Sequence, residues 1–460
     1  MLLRSVMNSL EVALQANAVA YRRAVQASAP GDCWDFVILT AANQKQAQGY
    51  RQELALLERT LGPAGAFFPA IQRTLVVPDP PGRRAGSGGA TLAAIRELAR
   101  QFDLSIEDLK RLRILLIHSG GASQRLPAYS PVGKIFAPLP LLRPDGHIAT
   151  LFDHLYITLA GLPERLGPGM LVLAGDVFLL FDHRHAATPG AGVTAISMRV
   201  DARLGCGHGV FVTDAAGRIT QTLQKVAVAT MASAGATDSA GRVLIDTGLL
   251  FFDAPRTILL AELAGCPNGR RKPRKGLDER FRGQIDLYED VTGALASGTD
   301  AKEFLRPAAT RSMRRELWTK FRGVPFRASQ VDGQFLHLGT TRQFRDAMVG
   351  RNPSPAAELF QRNVLAHSGW DLPAGRRVYH SVLRADANGR GGTLGEGSVI
   401  EHSILCPGCS VGDGSLVSQV IADERPFDLP GGLLLFQAPV RTANGKIAFV
   451  QVVCGVEDDF

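Results

Sequence analysis

The chain reads as an α/β protein, a mixed sheet flanked by helices, followed by a short parallel β-helix. Three observations predict this. Runs of buried-type apolar residues alternate with stretches of helical period. Two of those stretches are punctuated by glycine-rich loops at 86–91 and 119–121. Beyond about residue 375 an apolar residue returns every six positions among glycines, at Val399, Leu405, Val411 and Val417. With 460 residues, 45% of them apolar and 20% charged, the chain is long enough for more than one core. The expected division is an α/β domain over 1–374 and a repeat domain over 375–460.

The elements follow in order. Residues 1–29 have a helical pattern and no strand signal. Residues 34–40 (WDFVILT) read as a buried strand, 44–60 as a helix by period, and 75–77 as a short strand. The glycine run at 86–91 (GSGGAT) leads into a helix over 92–102. Residues 114–117 (ILLI) form the next buried strand, 170–174 (MLVLA) another, and 193–200 and 210–213 continue the series. Strands alternating with helices gather ligands at strand carboxyl ends, where both glycine runs and Asp176 fall. In the repeat, each six residues make one strand and a turn. Stability or an oligomer contact between copies is its expected role.

The most informative segment is 114–136, ILLIHSGGASQRLPAYSPVGKIF. A strand stops at Ser119, Gly120 and Gly121, whose backbone can approach a ligand closely. Arg125 and Lys134 follow as a planar fork and a compact cation, both suited to phosphate. This pattern can hold a nucleoside triphosphate whose α-phosphorus is about to be attacked. Asp176 ends the 170–174 strand after a glycine, where a carboxylate can reach a magnesium ion between phosphates. The 86–91 run has two readings, base or ribose contact through Gly88 and Gly89, or a helix-start turn. His118 reads as a satisfied core histidine.

A formal charge of +8 suits anionic ligands. The basic residues lie in scattered pairs apart from 270–275 (RRKPRK), which reads as a solvated loop, so nucleic-acid binding is not expected. No basic-then-apolar leader and no membrane-length apolar run is seen, and six cysteines show no disulfide framework. A cytoplasmic setting is the expectation. Cys406 and Cys409 form a lone C-x-x-C, which reads as part of the repeat and not as a zinc site.

Taken in order, GSGGAT at 86–91, HSGGASQRLP at 118–127, GK at 133–134, AGDV at 174–177, GHGVFV at 207–212, LQK at 223–225, DTG at 246–248, IDLYEDV at 285–291, FLHLGTT at 335–341 and the hexad tail resemble the sugar-1-phosphate nucleotidyltransferases. More narrowly, the chain resembles the GDP-fucose pyrophosphorylase (fucose-1-phosphate guanylyltransferase) family, including the pyrophosphorylase half of the bifunctional fucokinase/GDP-fucose pyrophosphorylases. The resemblance implies a Rossmann-like fold of the GT-A type with a left-handed β-helix. It implies guanylyl transfer from GTP to fucose 1-phosphate with magnesium, and no kinase activity, because the bifunctional members carry their kinase domain after the β-helix. Arg125, Lys134 and Asp176 would be catalytic, with Asp176 also the metal ligand, and Lys225 would face the sugar phosphate. Gly209, Asp246 and Gly248 would belong to the sugar pocket. The family pattern departs at His337, where the wider superfamily has a second metal-binding aspartate. Asp246, Asp286 or Asp290 could substitute, or one aspartate plus phosphate oxygens could suffice. Another sugar 1-phosphate, such as a heptose or a different deoxy-sugar, another triphosphate, and a non-catalytic nucleotide-sugar binder are the alternatives.

Overall fold

The structure is a computed structural model that describes residues 2–59, 67–121, 123–188, 190–268, 274–281, 283–351, 355–362 and 366–458. Most of the basic run at 270–275, and with it the reading as a solvated loop, lies outside the described residues.

Four parallel strands form one side of a nine-stranded mixed sheet, in the order Arg73–Pro78, Phe36–Ala41, Arg113–His118 and Gly169–Ala174. The long strand Arg242–Asp253 then pairs antiparallel with Gly169–Ala174 and carries the sheet on to Gly209–Thr213, Ile219–Gln224 and Val193–Asp201. Phe326–Gln330 closes that side, parallel to Val193–Asp201. The continuous apolar runs are explained by cover on both faces. Val37, Leu39, Leu115, Ile117, Leu171 and Leu173 belong to one buried cluster. Their neighbours Phe36, Ile38, Ile114, Leu116, Met170 and Val172 belong to the other.

The register brings the carboxyl ends of the parallel strands level. Ala41 stands opposite Pro78, Leu39 opposite Ile117, and His118 opposite Ala174. The loops that start at 42, 79, 119 and 175 therefore open on one edge. The first helix, Leu2–Val25, buries Met7, Leu10, Ala13, Tyr21 and Ala24, a stripe of helical period. Its Asn17 donates to the Phe181 carbonyl at 2.8 Å, which ties the helix to the strand Val177–Phe181 leading away from Asp176.

One expected loop is helical. The helix begins at Gly86 and runs to Gln101, so the glycine run lies within it. Residues 285–291 explain the glycines: a Cβ on Gly88 would lie 2.7 Å from the Ile285 side chain, and one on Gly86 2.5 Å from the Ile285 carbonyl.

From residue 366 on, the chain builds three small sheets, parallel except where Leu433–Arg441 and Ile447–Gly455 pair antiparallel at the end of one of them. The hexad residues Val399, Leu405, Val411 and Val417 fall on the three sheets in turn and are all buried. The first strand of this region is Ala366–Ser368, ahead of the boundary expected at 375. His380, His402 and Gln419 each follow a strand of one sheet and turn the chain with positive φ, at 51°, 46° and 59°. The region packs on the α/β part. Glu401, 0% exposed, accepts from the Tyr129 and Ser418 hydroxyls and lies 2.9 Å from the His402 ring, while Arg345 donates to the Gly414 carbonyl at 2.6 Å.

Candidate active site

The loop after the strand Arg113–His118 is held by its neighbours before any ligand arrives. The Ser119 hydroxyl donates to the Thr40 carbonyl and the Ser119 carbonyl accepts from Tyr50, each at 2.8 Å. The Gly120 amide donates to the Thr40 hydroxyl at 3.3 Å, and Gln46 donates to the Gly121 carbonyl at 3.0 Å. Gly121 sits at φ +129°, a backbone state that favours glycine. His118 lies with its ring nitrogens 3.4 Å from the Thr40 hydroxyl and 3.0 Å from that of Thr91. Burial pushes its pKa down to about 4, so the ring is neutral at neutral pH.

Arg125 is exposed, and its carbonyl accepts from the Thr341 amide at 2.7 Å. Lys134 is aimed by Gly133, which has φ +85° and leaves no room for a side chain: a Cβ there would meet the Tyr50 ring at 2.3 Å. The Lys134 ammonium donates to the Gly339 carbonyl at 2.6 Å.

Gly339 also lies beside Asp176. A Cβ on it would stand 3.3 Å from an Asp176 carboxylate oxygen, and the Leu338 amide donates to the Asp176 carbonyl at 2.9 Å. The strand Gly333–His337 runs antiparallel to Val177–Phe181, with His337 opposite Val177, next to Asp176. Asp176 is half-buried, and its carboxylate accepts no hydrogen bond and forms no ion pair among the described residues. His337 reports the local field. Burial holds its pKa below the ordinary value, the Asp176 charge opposes that, and Lys225, Arg125 and Lys134 reinforce it. The charges of three cations and one carboxylate, distant in sequence, thus act on one imidazole. Its ring stacks on His208 at 5.0 Å, and the His208 carbonyl accepts from the Lys225 amide at 3.1 Å. Burial, with His337 and Lys225 adding, pushes the His208 pKa down to about 4.

The expected sugar-pocket residues also come together. The pairing of Arg242–Asp253 slips between Asp246 and Leu249, so Thr247 and Gly248 bulge out. Gly248 has φ +79° and donates to the Asp246 carboxylate at 2.8 Å, while Tyr288 donates to the Gly248 carbonyl at 3.0 Å. A Cβ on Gly209 would lie 3.1 Å from that of Asp246. Asp246 is 9% exposed, and burial pushes its pKa up to about 6, with the Asp286 charge adding to the rise.

Gly88 and Gly89 stand apart. Their amides donate to the Ile285 carbonyl at 2.8 and 3.2 Å, so neither amide is free to donate to a nucleotide. The residues of that segment that do reach a cavity are Gly86, Ser87 and Ala90. The cavity measures about 230 Å³ and is bounded also by Gly120 and Gly121. Asp79 and Arg84, which line it together with Thr40, Ala42, His118 and Gln284, were not anticipated. They lie in a proline-rich turn whose composition marks only a turn, and the paired histidine His208 lacked a signal beyond its neighbouring glycines.

For a metal ion, Asp176 is the available carboxylate. Asp286 already accepts from the Tyr288 and Glu289 amides at 2.7 and 2.9 Å, and Asp290 pairs with Arg314 at 2.8 Å. No group of three His, Cys, Asp or Glu side chains that could hold a metal occurs among the described residues. Asp176 fits a hard ion whose remaining ligands are phosphate oxygens and water.

Residues 106–460 match the fucose pyrophosphorylase domain. Among similar proteins, the bifunctional fucokinase/GDP-fucose pyrophosphorylase of Arabidopsis thaliana is 28% identical over 93% of this chain and 42% of its own length. The fucose-1-phosphate guanylyltransferase of Mus musculus is 28% identical over 94% of this chain and 75% of its own. The L-fucokinase/L-fucose-1-P guanylyltransferase of Bacteroides fragilis is 25% identical over 83% and 37%. The chain thus spans less than half of each bifunctional relative. Because the domain match takes in most of the molecule, with every residue gathered around His337 inside it, the chain belongs to the fucose pyrophosphorylase family.

Proposed function

We propose that this protein transfers a guanylyl group from GTP to fucose 1-phosphate, giving GDP-fucose and pyrophosphate. The observation that carries this reading is that Lys134 and Asp176 meet at Gly339, beside His337, whose ring also feels the charges of Arg125 and Lys225, in a member of this family. A phosphate oxygen of the sugar ester forms a bond to the α-phosphorus. The bond from that phosphorus to the bridging oxygen breaks, and pyrophosphate carries the electron pair away. Both reactants are anions, so positioning and charge neutralisation are the enzyme's main tasks. Lys134 offsets charge at the α-phosphate, Arg125 grips the departing pyrophosphate, and Lys225 holds the sugar phosphate. Gly120 and Gly121 bring main chain close to the nucleotide, with Ser119 fixing their loop. Gly209, Asp246 and Gly248 form the sugar wall. Asp176 would hold a magnesium ion, which supplies Lewis-acid neutralisation of phosphate charge when bound.

The finer architectural reading is a GT-A type, Rossmann-like domain with a left-handed parallel β-helix. Strands recurring on three sheets support the β-helix. Exposed Ile447, Phe449 and Val453 on the final hairpin support an oligomer contact through this module. Six free thiols support a cytoplasmic setting, and no helix among the described residues is long and apolar enough to cross a membrane.

Pyrophosphate release over a panel of nucleoside triphosphates and sugar 1-phosphates tests the reading. GTP with fucose 1-phosphate should give the highest kcat/KM. A preference for another triphosphate, a heptose or a different deoxy-sugar would overturn the assignment while keeping the chemistry. His337, in place of a second carboxylate, favours one rival, a nucleotide-sugar binder without turnover. That rival predicts GDP-fucose binding with no pyrophosphate released from any pair.

A further inference from the structure

The 230 Å³ cavity beside Gly120 and Gly121 is large enough for a purine, and its wall includes a carboxylate with capacity to spare. The strand Arg73–Pro78 ends in proline, and the next residue, Asp79, anchors its amide on the Ala41 carbonyl at 2.7 Å. This fixes the Asp79 backbone one strand away from the glycine loop, whose Gly120 is packed against Ala41 and Ala42. One Asp79 oxygen receives only a long contact of 3.4 Å from the Ala85 amide. The other accepts no hydrogen bond among the described residues, and the neighbouring Arg84 guanidinium donates none. A carboxylate with two acceptor oxygens and a guanidinium donor fork therefore border a cavity next to the proposed phosphate cradle.

We infer that Asp79 reads the base, accepting from N1–H and the 2-amino group of guanine, with Arg84 supplying donors on the O6 side. The inference rests on the proposed triphosphate site and adds the residue that selects the base. A carboxylate presents two acceptors and no donor when ionised. Guanine offers two donors on that edge. Adenine offers an acceptor at N1 and a C–H at C2, so lone pairs would face lone pairs. Both residues lie before position 106, outside the span that matches the family domain. The base-reading wall is thus contributed by the N-terminal segment and the phosphate cradle by the matched domain.

The test uses a base analogue whose pattern inverts at one atom. Xanthine carries a carbonyl where guanine carries its 2-amino group. In Asp79→Asn the amide oxygen still accepts from N1–H, while the amide nitrogen faces an acceptor in xanthine and a donor in guanine. The expected result, from kcat/KM with fucose 1-phosphate, is a loss of about 100-fold or more for GTP and a gain of about 10-fold or more for XTP over the wild-type protein. Wild-type protein should also use ITP, which lacks the 2-amino group, less well than GTP. An equal fall with GTP and XTP would mean that Asp79 only supports the turn, and an unchanged GTP preference would mean that it does not face the base. Either overturns the inference. Should wild-type protein turn over no triphosphate, the functional reading fails separately. Calorimetric binding of GDP and XDP to the two proteins then applies the same inversion, and no exchange of preference would overturn the inference.

Discussion

Single residues at this site are explained by what surrounds them more than by what they are. Gly133 shows this most plainly. Its left-handed backbone and the Tyr50 ring at 2.3 Å from a would-be Cβ leave glycine as the residue that lets Lys134 point at Gly339. Gly133→Ala should cost about 1–3 kcal/mol in urea unfolding and lower turnover with it; unchanged stability would mean that the turn adapts. Asp176 is the complementary case, a carboxylate near cations that accepts no hydrogen bond among the described residues. Asp176→Ala should lose about 10²–10³ in kcat with thermal stability nearly unchanged, because the variant removes no side-chain hydrogen bond among the described residues. A folded variant with near-normal kcat would remove Asp176 from the chemistry. The sequence pattern exposed these residues because glycines and cations after an apolar run carry a physical signal. It left two readings open for Gly88 and Gly89, since a glycine needed for close approach to Ile285 looks, in one dimension, like a glycine needed for a ligand.

Among elements, the buried strands and the hexad repeat were legible, since cover on both faces and a six-residue period both leave strong apolar signals. The antiparallel pair Val177–Phe181 and Gly333–His337 was not, because its partners lie far apart in the chain. That pair matters most for the site, since it carries His337 to Asp176. The contact between the C-terminal region and the α/β part was equally hidden. There Tyr129, in the turn just after Arg125, donates to the buried Glu401. Tyr129→Phe leaves that carboxylate with one donor fewer and should lower stability by about 1–3 kcal/mol. A melting temperature equal to that of the wild-type protein would show that the contact is not stabilising.

Across the whole molecule, buried titratable groups set the response to acid. Burial pushes His118, His154 and His208 down to about 4 and His380 to about 3. Each binds its proton more readily when unfolded, so its contribution is intact above about pH 6.5 and is lost as pH falls towards 4. Asp153 and Asp246, raised to about 6, act in the opposite sense below that pH, but they are fewer. The melting temperature should therefore fall between pH 7 and 4.5, and a rise would contradict this accounting. The proposal for the α/β edge is that cations from separate elements there neutralise the charge of a nucleotidyl transfer. Its most direct test is pyrophosphate release from GTP and fucose 1-phosphate by wild-type and Lys134→Ala protein, with melting temperatures measured alongside. The expected result is turnover by the wild type and a fall of about 10²-fold or more in a variant that remains folded. A folded Lys134→Ala protein working at near wild-type rate would contradict it.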